Sequence, residues 1–262
     1  MKTLPHPYRS LGAGGKEGRI ATLVGASLLG LCACGGNNTP PGTGAVRLAN
    51  GVTDSSGLNA SISSVATFSG ISLDTGSGLT EVPVGSYNSQ LTSSSVQFSV
   101  DNVGIDHNNV TTIFAYGVVG SGTQGGFTAE ESIVAPTNGQ AVVQPVHDAR
   151  TASAVTPTLS FYLIRPGAGI AGATPVTAAF CASPPSSSIA GGSYEIVVAN
   201  GTSVVFDSGP MGITLPASSG ADVFQIAALD ATAAQNTQYG SAIVLLLLDN
   251  LGGNTALYNL QN

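Results

Sequence analysis

Val96-Gln97-Phe98-Ser99-Val100 is the stretch that indicates the fold class most directly, because three apolar residues alternate with two polar ones. Side chains of a β-strand point alternately to opposite faces, so this period of two predicts a strand with one buried face. Comparable runs recur along the chain, bounded by Gly, Pro, Asn, Asp or Ser, as strands and hairpins require. They cover residues 46–50, 58–65, 111–119, 158–164, 194–199, 203–206 and 223–229. We therefore expect an all-β protein made of antiparallel β-sandwiches of the Ig-like type.

Two segments leave alternatives open. Residues 227–235 could form a short helical turn. Residues 242–248 read Ala-Ile-Val-Leu-Leu-Leu-Leu, which is far too short a run to span a bilayer as a helix. The interpretation we favour for this run is a strand buried on both faces, and an edge strand that binds a partner is the alternative.

An internal repeat predicts two domains. Gly85-Ser86-Tyr87 recurs as Gly192-Ser193-Tyr194, and residues 45–50 align with residues 142–147. A tyrosine after a tight glycine turn packs its ring in the core and gives its hydroxyl to the backbone, as in a tyrosine corner. We place the boundary near Gly139 and expect tandem β-sandwiches over 45–138 and 139–262, a size typical of domains.

The N-terminal region reads as a targeting signal. A basic stretch over residues 1–19 precedes an apolar stretch over 20–31, which is shorter than the roughly 20 residues that a membrane-spanning helix needs. The apolar stretch ends in Leu31-Cys32-Ala33-Cys34. We expect a signal peptide over residues 1–33, cleaved before Cys34 because Cys32 would follow a leucine, and a flexible Gly/Asn/Pro tether over 34–44.

The segment from Leu31 to Cys34 closely resembles the lipobox of bacterial lipoproteins. The resemblance implies that Cys34 is acylated, palmitate being one of the expected chains, and serves as the lipid anchor in the cell envelope. Gly35 follows the cysteine where an Asp would suggest inner-membrane retention, so the outer membrane is the more favoured location.

Charge limits the partners of the mature chain. After residue 33 the chain has three arginines, no lysine and 13 carboxylic acids, a formal net charge of −10. Such a surface repels phosphate backbones, which argues against nucleic-acid binding, and it offers no basic patch for anionic lipids. The expected partners are the membrane, through the acyl chains on Cys34, and an unidentified envelope protein or glycan.

A second resemblance covers residues 45–262. Val46-Arg-Leu-Ala-Asn50, Leu159-Ser-Phe-Tyr-Leu163, Ala190-Gly-Gly-Ser-Tyr-Glu-Ile-Val197 and Val205-Phe-Asp-Ser-Gly-Pro210 look like segments of the DUF4397 family, in two copies. Gln144-Pro145 stands where the family usually has Arg-Val. The family carries no assigned chemistry, so the resemblance implies fold and envelope location only.

Candidate catalytic and metal-binding residues are few. His107 lies in the Asp101–Asn109 stretch, whose spacing fits a turn better than a calcium loop. His147 aligns with Asn50, and a position that takes either residue indicates a backbone-fixing role. Cys181 lies in an apolar context typical of a buried thiol, with a reactive thiol or an intermolecular disulfide as the alternative.

The remaining motifs also argue against catalysis. Glu130 and Glu131 are adjacent, so on a strand they point to opposite faces and cannot form a carboxylate pair across a cleft. We therefore expect no catalytic, cofactor-binding or metal site, and no enzyme activity. The leading hypothesis is a lipid-anchored, non-catalytic binding, adhesion or structural module. The alternative is an enzyme or enzyme accessory that acts on envelope polysaccharide or peptidoglycan.

Overall fold

The computed structural model describes residues 42–132, 136, 139–150, 157–210, 212–216 and 223–260. These residues form 19 β-strands and one short helix, which confirms the all-β prediction. None of the helical structure among them is long and apolar enough to cross a membrane. The predicted signal peptide, Cys34 and most of the predicted tether lie outside the described residues.

The first half of the described chain, residues 43–132, forms two sheets. Sheet I contains β1 (Thr43–Thr53), β4 (Thr75–Gly76), β5 (Thr80–Pro83), β8 (Asn109–Val118) and β9 (Gly125–Ser132). Sheet II contains β2 (Leu58–Ile62), β3 (Ala66–Ile71), β6 (Gly85–Thr92) and β7 (Gln97–Ile105). Residues of both sheets share one hydrophobic core, so the two sheets form a sandwich.

The second half, residues 140–260, repeats this arrangement. Sheet III contains β10 (Gln140–His147), β13 (Ser187–Ala190), β17 (Val223–Asp230), β18 (Ile243–Asp249) and β19 (Asn254–Leu257). Sheet IV contains β11 (Thr158–Ile164), β12 (Val176–Ala179), β14 (Gly192–Asn200), β15 (Ser203–Asp207) and β16 (Ile213–Leu215). A second core joins sheets III and IV.

One strand pair in each half is parallel, which the period-two pattern does not reveal. β1 pairs with β8, with Arg47 opposite Thr112, and β10 pairs with β17, with Gln144 opposite Gln225. Parallel neighbours need a long crossover connection. Between β1 and β8 the chain passes through sheet II, and between β10 and β17 it passes through sheet IV, so the second layer of each sandwich supplies the crossover.

Sheets I and III pack face to face, and we call this contact the junction. Its apolar part is a third cluster of eight buried residues. Three come from sheet I and five from sheet III: Ala49, Phe114, Ala129, Val146, Ala227, Leu229, Leu246 and Leu248. The four sheets therefore stack in the order II, I, III, IV. Each half has its own core, and independent folding of the two predicted domains stays a prediction.

The leucine-rich run lies inside sheet III. β18 pairs with β17 on one side and with β19 on the other, and its residues are buried on both faces over most of its length. The two-sided burial predicted for residues 242–248 is confirmed from Ile243 onward, whereas Ala242 is exposed before the strand begins, and the alternative of a partner-binding edge strand is wrong. The physical reason is the junction, since sheet III is covered by sheet IV on one face and by sheet I on the other.

The helical turn considered for residues 227–235 exists, but it lies further along the chain. Residues up to Asp230 belong to β17, and α1 covers Ala233–Tyr239. Thr232 caps the helix by accepting a hydrogen bond from the backbone N–H of Gln235, while the Gln235 side chain accepts from the N–H of Thr232. This reciprocal capping box begins the helix, and Gly240 ends it in the left-handed conformation.

The repeated Gly-Ser-Tyr segments have the same structural role in both halves. The Tyr87 hydroxyl donates to the Pro83 carbonyl at 2.8 Å, and the Tyr194 hydroxyl donates to the Ala190 carbonyl at 2.6 Å. In both cases the acceptor lies four residues upstream. The predicted structural role of the tyrosine pair is confirmed.

Candidate functional site

The principal concentration of buried polar groups among the described residues lies at the junction. Arg47 on β1 is fully buried. Its Nε donates to Thr112 Oγ1 at 2.8 Å, and its Nη2 donates to Glu131 Oε1 at 2.7 Å and to Gln225 Oε1 at 3.0 Å. Its Nη1 donates to the carbonyl of Asp249. Through these bonds a side chain of the first half binds β17 and β18 of the second.

The equivalent residues of the two repeats meet in this network. Arg47 and Gln144 align in the repeat, and their parallel partners are Thr112 and Gln225. Thr112 Oγ1 donates to Gln225 Oε1 at 2.6 Å, and Gln225 Nε2 donates to Gln144 Oε1 at 2.9 Å. The same face of each sandwich thus forms the contact, as in an isologous dimer interface.

Glu131 is the counter-ion of Arg47, and both side chains have 0% exposure. Burial raises the pKa of the Glu131 carboxyl to about 7, although the charge of Arg47 lowers it. Glu131 Oε2 has no hydrogen-bond partner. Glu130, the preceding residue of β9, is exposed. The two carboxylates lie on opposite faces, as the strand pattern predicts, so they do not form a catalytic pair.

A second polar cluster at the junction is centred on Asp148. The residue follows β10 and is fully buried, and neither of its carboxylate oxygens has a hydrogen-bond partner. Burial raises the pKa of Asp148 well above its ordinary value, and the charge of Asp230 on β17 raises it further. A methyl group on Gly51 of β1 would lie 3.2 Å from Asp148 Oδ2, so the carboxyl packs directly against the first half.

Tyr116, Phe180 and Cys181 lie at the partly exposed side of this cluster. The ring centres of Tyr116 and Phe180 are 5.1 Å apart, and the Arg150 guanidinium lies 5.6 Å from the Phe180 ring centre. Burial raises the pKa of the Cys181 thiol to about 11 and that of the Tyr116 hydroxyl to about 12. Both groups are therefore protonated at neutral pH, which argues against the alternative of a reactive thiol.

His147 and Asn50 perform the same structural task. His147 Nδ1 accepts a hydrogen bond from the N–H of Ala149 at 3.4 Å, and Asn50 Oδ1 accepts one from the N–H of Val52 at 2.9 Å. In each half the acceptor binds the amide two residues later along the chain. This geometry supports the prediction that His147 fixes backbone. The expected role of a hydrogen-bond donor is wrong for these bonds, because both side chains accept from a backbone N–H.

His107 lies away from the junction. It is exposed in the turn between β7 and β8, with Nδ1 3.3 Å from the Thr43 carbonyl oxygen. Residues 101–105 of the predicted turn continue β7, and the turn itself begins at Asp106. No group of three or more His, Cys, Asp or Glu residues suited to a metal ion occurs within the described ranges.

A third buried carboxyl connects the first half to α1. Asp74, which precedes β4, accepts a hydrogen bond from Gln235 Nε2 at 2.6 Å, while its Oδ1 has no partner. Burial raises its pKa, and the hydrogen bond from Gln235 lowers it by less. Tyr258 lies nearby and stacks on Tyr239 with ring centres 4.7 Å apart.

The outer face of sheet II is different, because it is polar and almost free of charge. Ser61, Gln90 and Ser99 lie directly opposite one another on β2, β6 and β7. With Ser63, Asn88 and Asp101 they line a shallow open groove of about 340 Å³. We call this surface the polar groove. Hydroxyl and amide groups of this kind can donate and accept hydrogen bonds to an uncharged polar ligand.

The sequence pattern did not reveal the Arg47 network. Arg47 is one of three arginines after residue 33, and it lies within a strand that has no other charged residue. A charge at that position signals a buried, paired side chain, because an unpaired ion would not be tolerated there. Its partners come from up to 202 positions away in the chain and are not predictable from local sequence.

Residues 44–158 match the family model described as "Domain of unknown function (DUF4397)". The match covers the first half and extends through β10 into β11. No curated protein is significantly similar to the chain.

Proposed function

We propose that the protein is a lipid-anchored module of the cell envelope that binds or supports other envelope components without catalysis. The anchor would be the acylated Cys34, with the outer membrane favoured over the inner. The formal charge of −10 after residue 33 supports a partner that is not a nucleic acid. The lipobox-like segment Leu31–Cys34 supports the tether.

The observation that carries this proposal is where the ionisable groups lie. Arg47, Glu131 and Asp148 are sealed between the two sandwiches, where a substrate has no access. A general acid or base must reach the proton that it transfers. Buried in the junction, these groups join two sandwiches into one body, which suits a scaffold or binding module. The polar groove is the exposed surface that suits a polar, uncharged envelope component.

The anchoring part is tested by substitution of the two candidate cysteines. The full chain is expressed with labelled palmitate, together with Cys34→Ala and the matched control Cys32→Ala. We expect label in the parent and in Cys32→Ala, and none in Cys34→Ala, which should also leave the membrane fraction. Label that persists in Cys34→Ala and is lost in Cys32→Ala would overturn the anchor assignment.

The binding part is tested on the polar groove. The full chain is crosslinked in intact envelopes, and the partners captured by the parent are compared with those captured by Ser99→Glu. Ser203→Glu, on an exposed position of β15, is the matched control. A captured partner that is lost only in Ser99→Glu supports the proposal. Capture of the same partners by all three proteins would exclude the polar groove, and turnover of envelope glycan by purified protein would favour the enzyme alternative.

A further inference from the structure

The first half packs against one side of the buried Asp148 carboxyl. The Asp148 backbone is fixed to its own half, since its N–H donates a hydrogen bond to the Ala228 carbonyl of β17 at 2.9 Å. Gly51 of β1 closes the other side, and its absent side chain leaves just enough room for the carboxyl. Asp148 is therefore part of the contact between the halves, so separation of the halves would open a path for water to its carboxyl.

The groups around Asp148 do not satisfy its charge. Asp230 of β17 raises its pKa, and Tyr116 of β8 and Cys181 lie close enough to interact with it electrostatically. The neighbouring His147 directs Nδ1 to the Ala149 amide, and the Arg150 guanidinium lies over the Phe180 ring. Neither oxygen of Asp148 accepts a hydrogen bond from any of these groups.

An ionised carboxylate in such a place is costly because it loses hydration and receives no hydrogen bond in return. A protonated carboxyl avoids most of this cost. When Asp148 ionises, water can reach it most directly if Gly51 and Tyr116 move away, and these residues belong to the first half. Ionisation of Asp148 should thus favour separation of sheets I and III without unfolding either sandwich.

We propose that the junction is a proton-dependent latch, which Asp148 holds closed while protonated and releases when it ionises. The latch would set whether the two sandwiches move as one body or as two. It goes beyond the proposed envelope function and does not depend on it.

The test is hydrogen exchange of the full-length chain in detergent micelles, measured at about pH 5 and about pH 9 and corrected for intrinsic rates. Tyr116 and Cys181 stay protonated over this range because their pKa values are about 12 and about 11. In the parent we expect the protection of β1 and β17 amides to fall by about tenfold or more at the higher pH. Each pH unit over which ionisation is coupled to opening should lower the protection factor about tenfold. Amides of β11, in the core of the second sandwich, serve as the internal reference and should keep their protection.

Asp148→Asn keeps the shape and removes the ionisation of this residue, so the part of the loss of protection that Asp148 supplies should disappear. The remainder comes from Glu131, whose pKa is about 7. Asp106→Asn, at an exposed position of the turn after β7, is the matched control and should behave like the parent. The proposal is overturned if the parent shows no change, if β11 loses protection as much as β1 does, or if Asp148→Asn responds as the parent does. If Asp148→Asn does not fold, the contrast between β1 and β11 is measured in Glu131→Gln, which removes the other junction carboxyl whose pKa lies in this range, and the absence of a contrast there overturns the proposal.

Discussion

Gly51 and Asp148 occupy equivalent positions of the internal repeat, and they face each other across the junction. A Cβ atom on Gly51 would lie 3.2 Å from Asp148 Oδ2, 3.1 Å from Leu229 Cδ2 and 3.0 Å from the Ala115 carbonyl oxygen. Those distances are tighter than ordinary van der Waals contact. The repeat thus has a small residue in one copy where the other has a carboxyl, which allows two similar faces to pack.

Gly51→Ala should loosen the junction. We expect a loss of about 1–3 kcal/mol in the free energy of unfolding, as is typical when a close-packed site is overfilled. Gly78→Ala is the control, because a methyl group there meets no atom within 4 Å. Chemical denaturation of both variants measures the difference, and equal stability of the two would contradict the packing described for Gly51.

Arg47→Gln should lower the free energy of unfolding more than the double variant Arg47→Gln/Glu131→Gln does. The single change leaves Glu131 buried without its counter-ion, which typically costs about 3–5 kcal/mol. The double variant Arg47→Gln/Glu131→Gln removes both charges, so it should recover part of that stability. Urea unfolding of the parent, both single variants and the double variant gives the coupling energy. A coupling energy near zero would mean that the buried pair contributes nothing.

The stability of the protein should decrease as the pH rises through the range in which Glu131 ionises. Its pKa is raised by burial from 4.5 to about 7, so the unfolded chain releases this proton at lower pH than the folded chain. The contribution is fully present below about pH 4.5 and is lost by about pH 7, on the order of 1–3 kcal/mol. Unfolding at several pH values should show this slope in the parent and in Glu81→Gln, an exposed control. Glu131→Gln should lack the part of the slope that Glu131 supplies, and a slope equal to that of the parent would contradict the assignment.

The two tyrosine corners should contribute equally. Tyr87→Phe and Tyr194→Phe each remove one hydroxyl that donates to a backbone carbonyl, at a cost of about 0.5–1.5 kcal/mol each. Because the two corners lie in separate halves, the costs should add in the double variant. Tyr162→Phe on β11, which belongs to neither corner, is the comparison. Thermal unfolding measures the loss of stability in each variant. A loss in one variant and none in the other would disprove the equivalence of the two corners.

The fragment from Gly139 to Asn262 tests the predicted domain boundary. It contains the whole core of the second half, so it should give a β-type circular dichroism spectrum and melt cooperatively. Without the first half, it exposes the junction face with Leu229, Leu246 and Leu248. We therefore expect concentration-dependent self-association in sedimentation, since an exposed apolar face of this kind attracts partners. A molten or helical spectrum would argue against the boundary.

Much of the secondary structure could be predicted because period-two patterns and turn residues are local signals. The alternation at Val96–Val100 and the Gly-Ser-Tyr repeats led directly to strands and tyrosine corners. The sequence did not place α1 correctly, because Ala227 and Leu229 are compatible with a helix and with a strand. β17 is buried on both faces because of its neighbouring sheets, which the local sequence does not reveal. The parallel pairing of β1 with β8 was missed for a similar reason, because strand direction leaves no trace in the alternation.

The all-β class, the internal repeat and the scarcity of cations can be read from the sequence alone, because alternation, spacing and composition are properties of the chain order. The packing of sheet I on sheet III, and the meeting of Arg47, Glu131 and Gln225 there, are visible only in the folded chain. Those contacts join residues separated by up to 178 positions, and their energies depend on shared burial. The charge of Arg47 is visible in the sequence, but its partners are defined only when the two sandwiches exclude water from around it.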